Sequence, residues 1–172
     1  MKHAIYKKIY GGLSAFISAR PFFKVALRIF DVFLTVLFSV SYGGLCLYAF
    51  IKKMNANVLM NMIFPMLLCL LLVFVLRLAC PRARPYSEQG AGITPLAKKK
   101  KNDNNSFPSR HIACAMVIAS VFIPHSPIAA GVLYFFALLL AFIRFSLGLH
   151  YLSDLLAGGG IGLLSGILML IL

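Results

Sequence analysis

The chain has 172 residues, of which 61% are hydrophobic and only 12% charged. A soluble domain carries about 25% charged residues, so this chain could not cover itself with a polar surface, and an ordinary water-soluble globule is excluded. The net charge of +13 would suggest nucleic acid in a soluble protein. Here it suits anionic lipid head groups or a phosphate substrate instead, and the sequence carries no nucleic-acid-reading motif.

Residues 1–27 form a basic start in which Ile5, Ile9, Phe16, Phe22, Phe23 and Val25 are interleaved with Lys7, Lys8, Arg20 and Lys24. This is the pattern of an interfacial amphipathic segment, interrupted at Pro21. It fits a segment lying on the membrane as well as one crossing it. No short apolar stretch with a small-residue cleavage site follows, so no secretory signal is expected.

Residues 28–172 read as one membrane-embedded domain. Uncharged runs at 32–51, 58–76, 128–143 and 155–172 approach or exceed the ~18 residues needed to cross a bilayer. With 109–123 they predict about five spans, 28–51, 58–79, 109–123, 128–147 and 151–172, in an all-α polytopic helix bundle. The span from Ser109 is short, roughly 22 Å against a hydrocarbon core of about 30 Å. Its polar end is therefore expected either to be extended by flanking residues or to lie below the membrane surface. Turns fall at 52–57, 124–127 and 148–150. The connection 80–108 is by far the longest and holds Pro81, Pro85, Pro95, Gly90, Gly92 and the run Lys98–Lys101, read as a solvated or lipid-facing charge run. Gly158, Gly162 and Gly166 repeat every four residues, a stripe that lets another helix approach closely. Cys46, Cys69, Cys80 and Cys114 form no close Cys-x-x-Cys pair and read as small packing residues.

Alternating span direction brings three distant clusters to one side of the membrane: RLACPRARP (77–85), PSRH (108–111) and RFSLGLHYLSD (144–154). Ionisable groups near a bilayer core are expensive and call for a functional explanation. Several arginines with two histidines and an aspartate make a phosphate-chemistry set. Guanidinium forks match phosphate oxygens, and a phosphoryl transition state needs spread positive charge and in-line positioning. One histidine can attack phosphorus while another protonates the leaving oxygen. His150 and Asp154 are four apart, so a helix start can put them on one face, where Asp154 also suits the helix dipole.

These clusters resemble the three motifs of the type 2 phosphatidic acid phosphatase family, which shares a superfamily with vanadium haloperoxidases and glucose-6-phosphatase. RLACPRARP resembles Lys-x6-Arg-Pro, PSRH resembles Pro-Ser-Gly-His, and IRFSLGLHYLSD resembles Ser-Arg-x5-His-x3-Asp. The resemblance implies His150 as nucleophile, Asp154 as its orienting carboxylate and His111 as general acid. It implies Arg77, Arg84 and Arg144, helped by Ser109, as phosphate holders, and no metal or other cofactor. The chain departs from the family at Arg77 for lysine, Arg110 for glycine and Ile143 for serine. Arg110 is counted as a candidate phosphate contact. Arg82 falls outside the matched positions and reads as a head-group contact, and Tyr86 as an interfacial aromatic.

The implied protein is a multi-pass cell-membrane phosphatase acting on a phosphorylated lipid, of phosphatidic acid, phosphatidylglycerol phosphate or polyprenyl pyrophosphate type. A non-catalytic anionic-lipid binder or transporter is the alternative. The resemblance implies an extracytoplasmic site. Charge bias points the other way, with ten basic residues on the motif side outside the motifs against Lys52 and Lys53 on the other.

Overall fold

The computed structural model describes residues 2–87, 91, 93–96 and 105–171, without the side chains of 2–5 and 169–171. Gly90, Gly92 and the run Lys98–Lys101 lie outside the described residues. Along the described residues six helices follow one another: α1 (Lys2–Ser18), α2 (Pro21–Ile51), α3 (Ala56–Ala79), α4 (Arg110–Phe122), α5 (Pro127–Ser146) and α6 (Leu152–Ile171). Among the described residues there is no strand, only an isolated bridge between Arg82 and Asn105.

The break expected at Pro21 is real. Pro21 is the first residue of α2, where its missing N–H costs no helical hydrogen bond. α2 is thereby 31 residues long and begins ahead of the expected span at 28. α1 turns inward a face the apolar pattern did not single out. Tyr6, Tyr10 and Ile17 are buried, whereas Ile9 and Phe16 are exposed beside Lys7 and Lys8. The tyrosines win the inward face because their rings pack while their hydroxyls satisfy carbonyls. Tyr6 donates to His150 O at 3.5 Å and Tyr10 to Thr94 O at 3.0 Å.

α4 is the axis of the bundle, touched by α2, α3, α5 and α6. Its 13 residues span only about 20 Å, in line with the short span read from sequence. The glycine stripe of α6 explains how it sits. A Cβ at Gly158 would meet the backbone of Ser109, one at Gly162 the backbone of Ala113, and one at Gly166 the side chain of Ser120. Close approach of this kind needs residues without side chains, and it lays α6 along α4 from Ser109 to Ser120. At the other end of α4, Ser126 caps α5 by accepting from Ala129 N at 3.3 Å, and Pro127 follows at the first helical position.

The exterior is apolar. Phe33, Phe50, Leu67, Phe74, Leu78, Phe135 and Leu164 are all exposed, which suits hydrocarbon rather than water. α3 and α5 are each long and apolar enough to cross a bilayer, and α4 and Leu152–Leu168 are shorter apolar helices. The architecture is an all-α, polytopic membrane helix bundle. All four cysteines are free, with Cys69 buried and Cys80 exposed.

Candidate active site

The corner between α5 and α6 is built by local rules. α5 ends at Ser146 with Leu147 as its C-cap, and Gly148 follows at φ +72°, the left-handed turn that a side chain would strain. A Cβ there would also meet the Tyr10 hydroxyl at 2.7 Å. Leu149 N bonds back to Arg144 O at 3.1 Å, and Leu96 N pins the long connection to Leu147 O at 3.1 Å. His150 emerges from this corner buried, with 1% of its surface exposed, and Asp154 is wholly buried in the first turn of α6.

His150 Nδ1 lies 2.9 Å from Ser106 O. A carbonyl only accepts, so Nδ1 carries the proton and Nε2 keeps its lone pair. Asp154 Oδ2 stands 3.7 Å from the same nitrogen. The expected direct His150–Asp154 pair is thus shared with Ser106, because His150 precedes the helix rather than lying on it. The Ser106 hydroxyl donates to Asp154 Oδ2 at 2.5 Å, and Tyr151 N donates to it at 3.0 Å. Burial pushes the imidazole pKa down to about 4, the Asp154 carboxylate works against that fall, and the charges of Arg84 and Arg144 add to it. His150 is therefore neutral through the ordinary pH range.

The first cluster is laced to the other two. Arg77, at the last turn of α3, donates through Nη2 and Nε to Pro108 O at 2.9 and 3.3 Å. Buried Arg84 reaches Leu149 O at 3.1 Å and Asn105 O at 3.2 Å. Ser109 N bonds Asp154 O at 3.0 Å. The three clusters inferred to share a side of the membrane do meet. Arg82 is a correction to the sequence reading: it is not a head-group contact but donates through Nη1 to Asp154 Oδ1 at 2.6 Å, and its guanidinium lies over the Tyr151 ring. Tyr86 is likewise no interfacial aromatic, since it is buried in the main core.

The second cluster is the open one. Ser109 is the N-cap of α4, yet its hydroxyl caps nothing: Oγ is buried without a hydrogen-bond partner. The first N–H groups of α4 lack helical acceptors beside it, an arrangement that suits an anion. Arg110 is exposed and His111 half-buried. Arg110 lines two cavities. One, of about 410 Å³, lies between α3 and α4 with Arg77 and Asn105. The other, of about 230 Å³, lies among α2, α4 and α5 with His111.

Arg144 turns partly away. Its Nε lies 2.9 Å from Asp31 Oδ1, and Nη2 lies 3.3 Å from Asp31 Oδ2 and 3.4 Å from Thr35 Oγ1. Nη1 is buried with no hydrogen-bond partner. Neither Asp31 nor Ser106 was singled out from the sequence. Asp31 had a signal, as one of four acidic residues in the chain and bordering an uncharged run. Ser106, whose carbonyl and hydroxyl both serve the site, had none. His125 is exposed and takes no part, and the side chain of His3 lies outside the described residues.

A helical membrane bundle with arginines, two histidines and a buried aspartate gathered at one end has the composition of a phosphoryl-handling site. The sequence profile of the PAP2 superfamily matches residues 58–172, and the chain belongs to that superfamily. No curated protein matches the sequence. Among solved structures, the fold is similar to the crystal structure of Aquifex aeolicus LpxE, with a TM-score of 0.72 and 24% identity over 96% of this chain and 94% of that one. It is also similar to a transmembrane PAP2-type phosphatidylglycerolphosphate phosphatase from Bacillus subtilis, with a TM-score of 0.63 and 23% identity over 98% and 94%.

Proposed function

We propose that this protein is an integral membrane lipid phosphatase that cleaves a phosphomonoester or pyrophosphate on a lipid through a phosphohistidine at His150. The observation that carries the reading is the Nδ1–H of His150 held on the Ser106 carbonyl, which leaves the Nε2 lone pair available on a ring that also feels the charges of Arg84 and Arg144. Superfamily membership and the fold shared with a phosphatidylglycerolphosphate phosphatase support it.

In this mechanism Arg77, Arg84, Arg110, Arg144 and Ser109 receive the phosphoryl oxygens. Nε2 of His150 forms a bond to phosphorus as the bond to the lipid oxygen breaks. His111 gives its proton to that oxygen. A water then attacks the phosphohistidine, returns a proton to His111, and the P–N bond breaks to release phosphate. Asp154 is a positioning residue that offsets the positive charge developing on the ring. The reaction needs no metal, and the site faces the extracytoplasmic side.

The test is phosphate release by purified protein from a panel of phosphorylated lipids with chelator present. Release by wild type and none by His150→Ala supports the reading. Equal release by both overturns it. Binding of the panel without release favours the anionic-lipid binder, which needs the arginines but not His150. For sidedness, Lys100→Cys should react with an impermeant thiol reagent in intact cells, and reaction only after permeabilisation would reverse the assignment.

A further inference from the structure

Among the described residues, three cavities lie against α4, and they differ in the charged groups that line them. One, of about 460 Å³ among α4, α5 and α6, is lined by residues such as Met116, Phe142, Leu156 and Leu163 and by no charged group. The α3–α4 cavity carries Arg77 and Arg110 but not His111. Of these three, the α2–α4–α5 cavity has His111 in its wall, together with Arg110. Below His111 its α4 wall continues as Cys114, Ala115 and Ile118, one helical face running about 10 Å toward the opposite end of α4. Phe38 and Leu140 close it from α2 and α5.

The two hydroxyls in this wall are satisfied, by their own helix and, for Thr35, also by Arg144 Nη2 at 3.4 Å. Thr35 Oγ1 donates to Asp31 O at 2.7 Å, and Ser39 Oγ donates to Thr35 O at 3.0 Å. Satisfied in this way, they offer little competition to hydrocarbon. The cavity is thus cationic at its mouth and apolar in its depth, complementary to an amphiphile whose charge stays at the top.

We propose that this cavity receives the first part of the hydrocarbon chain of the substrate's leaving group. The inference rests on the phosphatase reading: the oxygen that takes a proton from His111 must sit against that ring, so the chain attached to it departs on the His111 side. The ligand class is a phosphorylated lipid, and the chemistry read by the cavity is its alkyl or prenyl chain rather than its phosphate.

Cys114 supplies a probe that needs no turnover. Wild-type protein in detergent is treated with N-ethylmaleimide, with or without hexadecyl phosphonate, and each cysteine is quantified by mass spectrometry. Slower labelling of Cys114 with the long-chain phosphonate, but not with ethyl phosphonate, is expected, while Cys46 labels equally in all cases. Undiminished labelling of Cys114 overturns the proposal. As a second arm, Ser39→Phe fills the cavity from an exposed position. It should lower the preference for a long-chain over a short-chain substrate in kcat/KM by roughly tenfold, the value of about two buried methylene groups. Leu156→Phe should keep the wild-type preference. If Leu156→Phe or Leu70→Phe erodes the preference and Ser39→Phe does not, the chain lies in another cavity and the proposal fails. If Cys114 is protected yet wild type releases no phosphate, the cavity stands and the phosphatase reading falls.

Discussion

The two halves of the site are built differently. Around His150 and Asp154 nearly every polar atom is already spoken for by the protein: Ser106 on the ring nitrogen, and Arg82, Ser106 and Tyr151 on the carboxylate. Around Ser109–His111 the Ser109 hydroxyl has no hydrogen-bond partner, Arg110 is exposed, and two cavities open alongside. The closed half has the rigidity that the proposed nucleophile would need before substrate arrives, since preorganised groups cost no rearrangement during reaction. The open half leaves donors for the substrate to complete. The difference separates what the fold holds ready from what the lipid must bring.

The largest effect should come from breaking the closed half. Asp154→Asn removes the charge that Arg82 and Ser106 both address, and kcat should fall by roughly 10⁴-fold or more, measured on a lipid phosphate. A decrease in affinity alone, with kcat kept, would move Asp154 out of the closed half's chemistry.

The open half is sharpened by His111→Ala. The loss should reach roughly 10²–10⁴-fold on an alkyl phosphate but shrink strongly on an aryl phosphate whose leaving oxygen needs no proton. Equal losses on both would show that His111 is not the proton donor.

Between the halves stands the pair of Arg144 with Asp31. Asp31→Asn leaves a buried guanidinium short of its counter-charge, and KM should rise about tenfold, the worth of one charge-assisted hydrogen bond, with a smaller change in kcat. Asp31→Glu should restore part of the loss, which a merely structural defect would not predict.

The smallest effect is a matter of pH. The His150 ring, followed by NMR of the labelled imidazole, should titrate near 4 rather than near 6.5. The sign follows from burial: the unfolded chain takes up this proton first, so the group's contribution to stability is full above about 6.5 and is lost as pH falls toward 4. A midpoint near 6.5 would mean that the ring is open to water and the closed half is not closed.

Much of this was legible in the residues themselves. The apolar runs, the short fifth span, the turn before Pro127, the Gly158–Gly162–Gly166 stripe and the three clusters all depend on spacing along one helix or turn. What failed to show was any partner chosen across the bundle. Arg82 and Asp154 are separated by 72 positions, and Arg144 and Asp31 by 113. No periodicity links such residues. The amphipathic pattern of residues 1–27 likewise did not tell which face of α1 packs on the bundle: hydrophobicity ranks Ile9 and Phe16 above Tyr6 and Tyr10, but the surface that α1 meets offers carbonyls as well as rings.

The sequence by itself determined that this chain lives in a bilayer, that its helices are of unequal length, and that arginine, histidine and aspartate gather at one end. Those facts follow from composition and local spacing, which the solvent and the helix period read directly. Only the tertiary structure decided that Ser106 fixes the ring of His150, that Arg82 and Asp31 complete the ion pairs, and that the His111 cavity runs down α4. Each of these depends on close packing between distant segments. The glycine face of α6 sets that packing by bringing Asp154 against Ser109, and a linear chain cannot express that distance.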